Sequence, residues 1–279
     1  MIYDCFPFNN ELDLLEIRLN HHDPFVDKFI ISEALHTYSG EPKPAVFLKF
    51  RDHPRFAKFL PKIVHRLYAW PPKEGVNWNF EHEQRDSLRT DFHFKEDDVI
   101  LYLDCDEILR DASVLEMAKQ TRELITLQLK HCWYYFNCVK KPGSAIYKDY
   151  SLESVFSDGW IMGKICRREH LTQFPHLYNM REAFLWNKNE HTVKDAGWHF
   201  SNAGDPRLTH WKLTTFSHSK ELQAKYDLSP ELVAQRKKDL VDPLGREGVS
   251  FIPTELDVPQ FVLDNLDRYK EYILDAPNS

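Results

Sequence analysis

Val99-Ile100-Leu101-Tyr102-Leu103 runs directly into Asp104-Cys105-Asp106-Glu107. The first five residues are β-branched, aliphatic and aromatic, and read as a buried strand. Two carboxylates two positions apart at the carboxyl end of such a strand are costly to hold, because like charges repel and each loses hydration. A bound divalent cation is the common remedy. Oxygen ligands at this density suit Mg or Mn, which in turn hold phosphate oxygens. The plainer alternative is a strand that turns into solvent through an acidic loop.

Working outward, the segments before this motif alternate. Ile2 to Phe6 reads as a short strand. Leu12, Leu15 and Leu19 fall on one helical face, with Asn10 as N-cap and Glu11 favouring the first turn. Phe29-Ile30-Ile31 reads as a second strand followed by a polar loop from Ser32 to Pro44, and Lys62 to Tyr68 as a third strand. Trp78 to His93 reads as a helix. After the motif, Ser113 to Gln120 reads as a short helix with Ser113 as cap and Glu116 in a capping box. This alternation predicts an α/β fold, a mixed and mostly parallel sheet whose ligands bind beyond the strand carboxyl ends. That edge carries Glu33 and Asp104 to Glu107.

The later half is less regular. Leu124 to Val139 is rich in β-formers, and Pro142-Gly143 is a turn. Residues 144 to 210 show little periodicity and many aromatics, a pattern that usually builds a site. The tail returns to helices over Lys212–Tyr226, Pro230–Val241 and Pro259–Leu274, the last with Val262, Leu266, Tyr269 and Ile273 on one face. The expected organisation is a single domain over 1–279. Residues 1–123 make up its alternating half, and 124–279 its irregular half with the C-terminal helices.

The 279 residues suffice for a large core, and 42% hydrophobic with 28% charged residues is ordinary globular composition. A net charge of −7 argues against a general nucleic-acid binder. Cys5, Cys105, Cys132, Cys138 and Cys166 are odd in number and contain no Cys-x-x-Cys pair, which fits reduced thiols in a cytoplasmic setting. Met1-Ile2-Tyr3-Asp4 begins no secretory signal, and no apolar run reaches the roughly 18 residues of a membrane span. The expectation is therefore a soluble chain with no membrane span.

Only nine glycines occur and none forms a phosphate loop, which disfavours Rossmann oxidoreductases and P-loop enzymes. Nucleophile-elbow and His-Glu-x-x-His motifs are absent. Two metal-site readings of Asp104-Cys105-Asp106 compete. In one, the carboxylates hold Mg or Mn against the diphosphate of a nucleotide-sugar. In the other, a phosphatase uses Asp104 as nucleophile and Asp106 as acid; that reading lacks its second acidic motif. His199, in Gly197-Trp198-His199-Phe200-Ser201, is either a packed core histidine or a third ligand. Arg85 has the planar fork suited to phosphate, and Asp86 can accept from sugar hydroxyls, although both also fit a solvated helix face.

Several segments in order resemble glycosyltransferase family 17: Asn10 to Arg18, Ser32-Glu33 with Tyr38 to Pro44, Gln84-Arg85-Asp86, Asp104 to Ile108, Ala196 to His199 and, more weakly, Asp264 to Lys270. The resemblance runs from about residue 3 to 275, and residues 140–190 depart from it. It implies a GT-A-like nucleotide-sugar-binding fold and inverting transfer of a sugar from a UDP-sugar to a glycan acceptor, N-acetylglucosamine first and xylose, glucose or galactose as alternatives. A non-catalytic glycan-binding protein on the same fold is a further alternative. The resemblance also implies that Asp104 and Asp106 bind the metal-diphosphate with His199 as a further ligand, that Glu33 sits near the nucleotide, and that Arg85 and Asp86 sit near the diphosphate and donor sugar. Inversion needs a base; Glu153, Asp158 and Glu190 are weak candidates. Glu107 is expected to orient its neighbours rather than act directly.

Overall fold

A computed structural model describes residues 1–69, 78–90, 93–144, 159–183, 191–217 and 219–275. Its first strands are β1 (Ile2–Phe8), β2 (Lys28–Ala34), β3 (Ile63–Tyr68), β4 (Val99–Tyr102), β5 (Glu107–Leu109) and β6 (Ile125–Trp133). The others described are β7 (Cys138–Lys140), β8 (Trp160–Cys166), β9 (His191–Val193), β10 (Gly197–Ser201) and β11 (Phe251–Pro253). The path through the sheet is β11-β7-β6-β8-β4-β1-β2-β3, with β10 joined to β5 and β6, and β9 to β6. The β4-β1-β2-β3 half is parallel, and β8 enters antiparallel between β4 and β6. The result is a mixed α/β sheet.

The parallel half has apolar cover on both faces, which is why its strands are near-continuous hydrophobic runs. Phe6, Phe8, Phe29, Ile31, Leu101 and Leu103 point into one core with Leu15 and Leu19 of the helix Leu12–His22. Their alternates Cys5, Ile30, Ile100 and Tyr102 pack on the other side with Leu177 and Met180. All five cysteines are buried free thiols. Among the described residues no helix is long and apolar enough to cross a membrane.

Several local expectations are corrected. β2 continues through Ala34, so Ser32 and Glu33 are strand residues and fully buried, not the start of a loop. Both find partners there: the Ser32 hydroxyl bonds Gln84 O and Ser87 Oγ, and Glu33 accepts backbone amides. The helix from Trp78 ends at Asp86, not His93. Glu11, not Asn10, precedes the first helix, and its carboxylate turns back to the amides of Asn9 and Asn10. Ser113 is the first residue of its helix rather than the cap, and Asp111 Oδ1 accepts its N–H. In the tail, the helix expected from Lys212 breaks after Thr215 and resumes at Ser219. The segment from Pro259 is two four-residue helices and a 3-10 turn, which buries Val262 and Tyr269 but leaves Leu266 44% exposed.

Gly197 shows why β10 can lie against β5. It pairs with Leu109 at φ +151°, and a Cβ there would meet Ile108 O at 2.0 Å. Only glycine tolerates both the dihedral and the contact. This register puts His199 opposite Glu107, and Phe200 N–H donates to Asp106 O at 2.8 Å. Gly197→Ala is expected to destabilise the chain by about 2–4 kcal/mol. A urea midpoint indistinguishable from wild type would refute that close approach.

Candidate functional site

Asp104 to Glu107 leaves the end of β4 and turns into β5. The turn is held from behind by a wholly buried set of charges. Arg18, on the core-facing side of the first helix, makes a forked pair with Asp4 of β1 (Nε–Oδ2 2.9 Å, Nη2–Oδ1 2.5 Å). Its Nη1 donates to Asp104 O at 2.7 Å and also to Glu107 O. His22, one turn later, is 2.8 Å from Asp4 Oδ2 through Nδ1, and its Nε2 accepts the Leu109 N–H at 3.1 Å. An acceptor Nε2 requires the neutral Nδ1–H tautomer. The three buried side chains thereby fix both ends of the acidic turn.

Neutral His22 has a consequence for pH. Burial, set against the pull of Asp4, lowers its pKa from 6.5 to about 4. The folded value lies below the unfolded one, so the contribution is full above about pH 6.5 and is lost as pH falls toward 4. The loss is on the order of 3 kcal/mol. Urea unfolding from pH 7.5 to 4 should show it, and His22→Gln should lack that component; equal slopes in the two proteins would contradict the assignment.

The carboxylates divide by neighbour. Asp104 takes Arg85 on both oxygens, Nη1 on Oδ1 and Nη2 on Oδ2 at 3.2 Å, and Arg181 Nη2 on Oδ2 at 3.0 Å. Burial opposes its charge, but Arg181 and Arg85 outweigh this and hold its pKa at about 2. Glu107, fully buried, accepts Arg181 on both oxygens (2.6 and 3.0 Å), Trp160 Nε1 at 2.5 Å and the Asp104 N–H at 2.8 Å. It orients the turn, as expected of it. Asp106 Oδ2 lies 2.9 Å from Lys212 Nζ and 3.6 Å from His199 Nε2. Burial again opposes ionisation, and Lys212 and then His199 overcome it, so the Asp106 pKa lies well below the usual range.

A cleft of about 270 Å³ opens over this turn, lined among others by Phe8, Glu11, Arg85, Trp160, His199 and Lys212 together with Asp104 and Asp106. The structure thus brings together Arg85, Asp104, Asp106 and His199. It does not bring Glu33 or Asp86 into the cleft. The Glu33 carboxylate accepts the Phe47 and Leu48 amides and pairs with His65 Nε2 at 2.9 Å, so it braces the helix Val46–Phe50. Asp86 accepts the Leu177 N–H at 2.8 Å and pairs with His176 Nδ1 at 2.7 Å. It therefore anchors the start of the helix Leu177–Arg181, which delivers Arg181 to the carboxylates. Glu153, Asp158 and Glu190 lie outside the described residues.

Asp104, Asp106 and His199 do not converge as one ligand set, and among the described residues no group of three such donors does. The reason is the guanidinium pair, which draws Asp104 away. Asp106 and His199 still fit a divalent cation. Their facing atoms, Asp106 Oδ2 and His199 Nε2, lie 3.6 Å apart at the cleft and are the donors that would hold it. The buried His199 Nδ1 has no hydrogen-bond partner among the described residues, and Nε2 is the ring nitrogen that faces Asp106. Lys212 already places a positive charge against Asp106, as a cation would. One or two protein donors completed by phosphate oxygens is the usual Mg arrangement.

Arg181, Trp160, Lys212 and the Asp4–Arg18–His22 set surround and hold the acidic turn, and sequence reasoning passes over them. Asp4 inside an apolar strand and Arg18 between Leu15 and Leu19 were the available signals, since an unpaired charge in such places is costly. Arg181 and Lys212 are remote in sequence and carry no comparable signal.

An acidic turn beyond parallel strand ends, facing a cleft lined by Arg85 and Lys212, defines an α/β protein with a charged cleft at the sheet edge. The chain belongs to glycosyltransferase family 17, which it matches over residues 1–146. It is 25% identical to the human β-1,4-mannosyl-glycoprotein 4-β-N-acetylglucosaminyltransferase over 99% of its own length and 55% of the relative's, and 24% identical to the rat protein over the same shares. The chain spans about half the length of these curated relatives. A solved 4-diphosphocytidyl-2C-methyl-D-erythritol synthase aligns with 76% of this chain and 97% of its own at 12% identity, with a TM-score of 0.41, too distant to bear on function.

Proposed function

We propose that this chain is an inverting, metal-assisted glycosyltransferase of GT-A type that transfers N-acetylglucosamine from its UDP conjugate to a hydroxyl of a β-1,4-mannosyl glycan. The observation that carries the reading is the pairing of Asp104 and Asp106 with Arg85, Arg181 and Lys212 at the mouth of one cleft. With four carboxylates and two cations among the described residues of its lining, the cleft would need a divalent cation beside Arg85 and Lys212 to receive a diphosphate and release it. Asp106 and His199 would hold Mn or Mg, which when bound adds positive charge beside the leaving diphosphate. Lys212, 44% exposed, is free to swing from Asp106 onto a phosphate oxygen. Arg85 remains locked to Asp104 and presents a fixed positive edge. Trp160, held through its indole N–H by Glu107, gives the sugar a rigid wall.

The relatives' names supply the donor sugar and the acceptor class. Incubating the chain with Mn, UDP-N-acetylglucosamine and a soluble β-1,4-mannosyl oligosaccharide should give UDP and a product heavier by one N-acetylhexosamine. Transfer of xylose, glucose or galactose in its place would reassign the donor. Release of phosphate from simple esters, with none of these transfers, would refute the reading.

A further inference from the structure

Asp106 and Lys212 do not line only the cleft described above. Behind them lies a second cleft of about 240 Å³, lined by Arg55, Phe200, Asn202 and Tyr272, which has Glu11, Asp106 and Lys212 in common with the first. It continues into a wider cleft of about 710 Å³, with Asp13, Leu208 and Tyr272 common to both. The two together make a groove that ends at the acidic turn.

Its chemistry suits a saccharide chain. Tyr272 is half-buried and rests on Phe136, with ring centroids 4.9 Å apart, so its ring is not loose; Phe200, fully buried behind them, backs the groove floor. The Tyr272 hydroxyl donates to Asp13 Oδ2 at 2.5 Å. The fixed Tyr272 ring beside carboxylate, guanidinium and amide groups matches the apolar and hydroxyl-bearing sides of a sugar. The wide outer part leaves room for more than one sugar unit.

Glu11 stands where the groove meets the donor cleft. Among the described residues four carboxylates line the donor cleft, and three are committed. Asp104 pairs with Arg85 and Arg181, Asp106 with Lys212, and Glu81 with Arg85 and the Ser217 hydroxyl. Glu11 has no ion pair among these residues. Its Oε2 accepts the Asn9 and Asn10 amides at 3.2 and 2.9 Å, which aims the side chain and leaves Oε1 open.

We propose that the groove binds the acceptor oligosaccharide and that Glu11 is the base that takes the acceptor hydroxyl's proton. The inference rests on the glycosyltransferase reading. In the step, the acceptor O–H gives its proton to Glu11 Oε1 as the acceptor oxygen bonds to the donor's anomeric carbon. The bond from that carbon to the diphosphate oxygen breaks, and its electron pair leaves on the nucleoside diphosphate. The proton passes from Glu11 to solvent when product departs.

Two variants test this alongside wild type, with UDP titration in Mn as the donor readout and a β-1,4-mannosyl oligosaccharide as acceptor. Glu11→Gln keeps an oxygen for the Asn9 and Asn10 amides. It should bind UDP within about twofold of wild type and lose about 10²–10⁴ in transfer rate. Leu208→Arg fills the groove at a position 38% exposed, where folding is little at risk. It should raise the acceptor KM about tenfold or more with UDP affinity unchanged. Transfer by Glu11→Gln within about threefold of wild type would overturn the base, and an unchanged acceptor KM in Leu208→Arg would overturn the groove. Failure of wild type itself to bind UDP is a separate outcome, and it removes the donor-site reading and this inference with it.

Discussion

Arg181→Ala is expected to destabilise the chain by about 3–5 kcal/mol, the usual cost of breaking a buried ion pair by removing one partner. The guanidinium is almost wholly buried and makes three hydrogen bonds, two to the fully buried Glu107 and one to Asp104. Its removal leaves Glu107 ionised in the core with, among the described residues, only the Trp160 indole and one backbone amide as donors. The melting temperature should fall by roughly 10 °C. Arg181→Lys should recover only part of this, because an ammonium cannot serve both carboxylates with the geometry of a fork. A loss under about 1 kcal/mol for the alanine variant would mean that Glu107 is stabilised by other groups.

Asp106→Ala should behave in the opposite way. Its chief partner, Lys212, is 44% exposed and can turn to water, so the stability cost should be about 1 kcal/mol or less. Function should suffer far more. Metal-dependent UDP affinity should drop about 100-fold, close to 3 kcal/mol, and become the same with Mn as with EDTA. A folded Asp106→Ala protein that still binds UDP as tightly as wild type in Mn would show that the cation and diphosphate lie elsewhere. The two variants thus distinguish the carboxylates by what each does. Glu107 and Asp104 form a guanidinium-locked frame, while Asp106 pairs with the half-exposed Lys212 at the cleft.

The sequence discloses the frame better than the partners. Val99 to Leu103 has one strong reading because a β-branched run ending in carboxylates is a local signal, and β4 lies there. The parallel order of β1, β2 and β4 follows from the helix Leu12–His22 between apolar strands. His199 was legible as a neighbour of the acidic turn only through its motif; the physical link is the Gly197 contact, which no spacing reveals. Glu33 and Asp86 look like site residues in sequence, yet each is drawn inward to unpaired backbone amides, of Phe47 and Leu48 in one case and Leu177 in the other. Arg181, Lys212 and Trp160 reach the site by long-range packing alone. The broken tail from Pro259 follows from local geometry, because a helical face that looks continuous is cut after Leu263 and again after Tyr269.

The most direct test of the account is calorimetric titration of UDP into the wild-type chain, once with Mn and once after chelation with EDTA. Saturable binding with Mn that weakens at least about tenfold in EDTA is the predicted result. No saturable binding of UDP under either condition would contradict the assignment of the Asp104–Asp106 cleft as a nucleotide-sugar site.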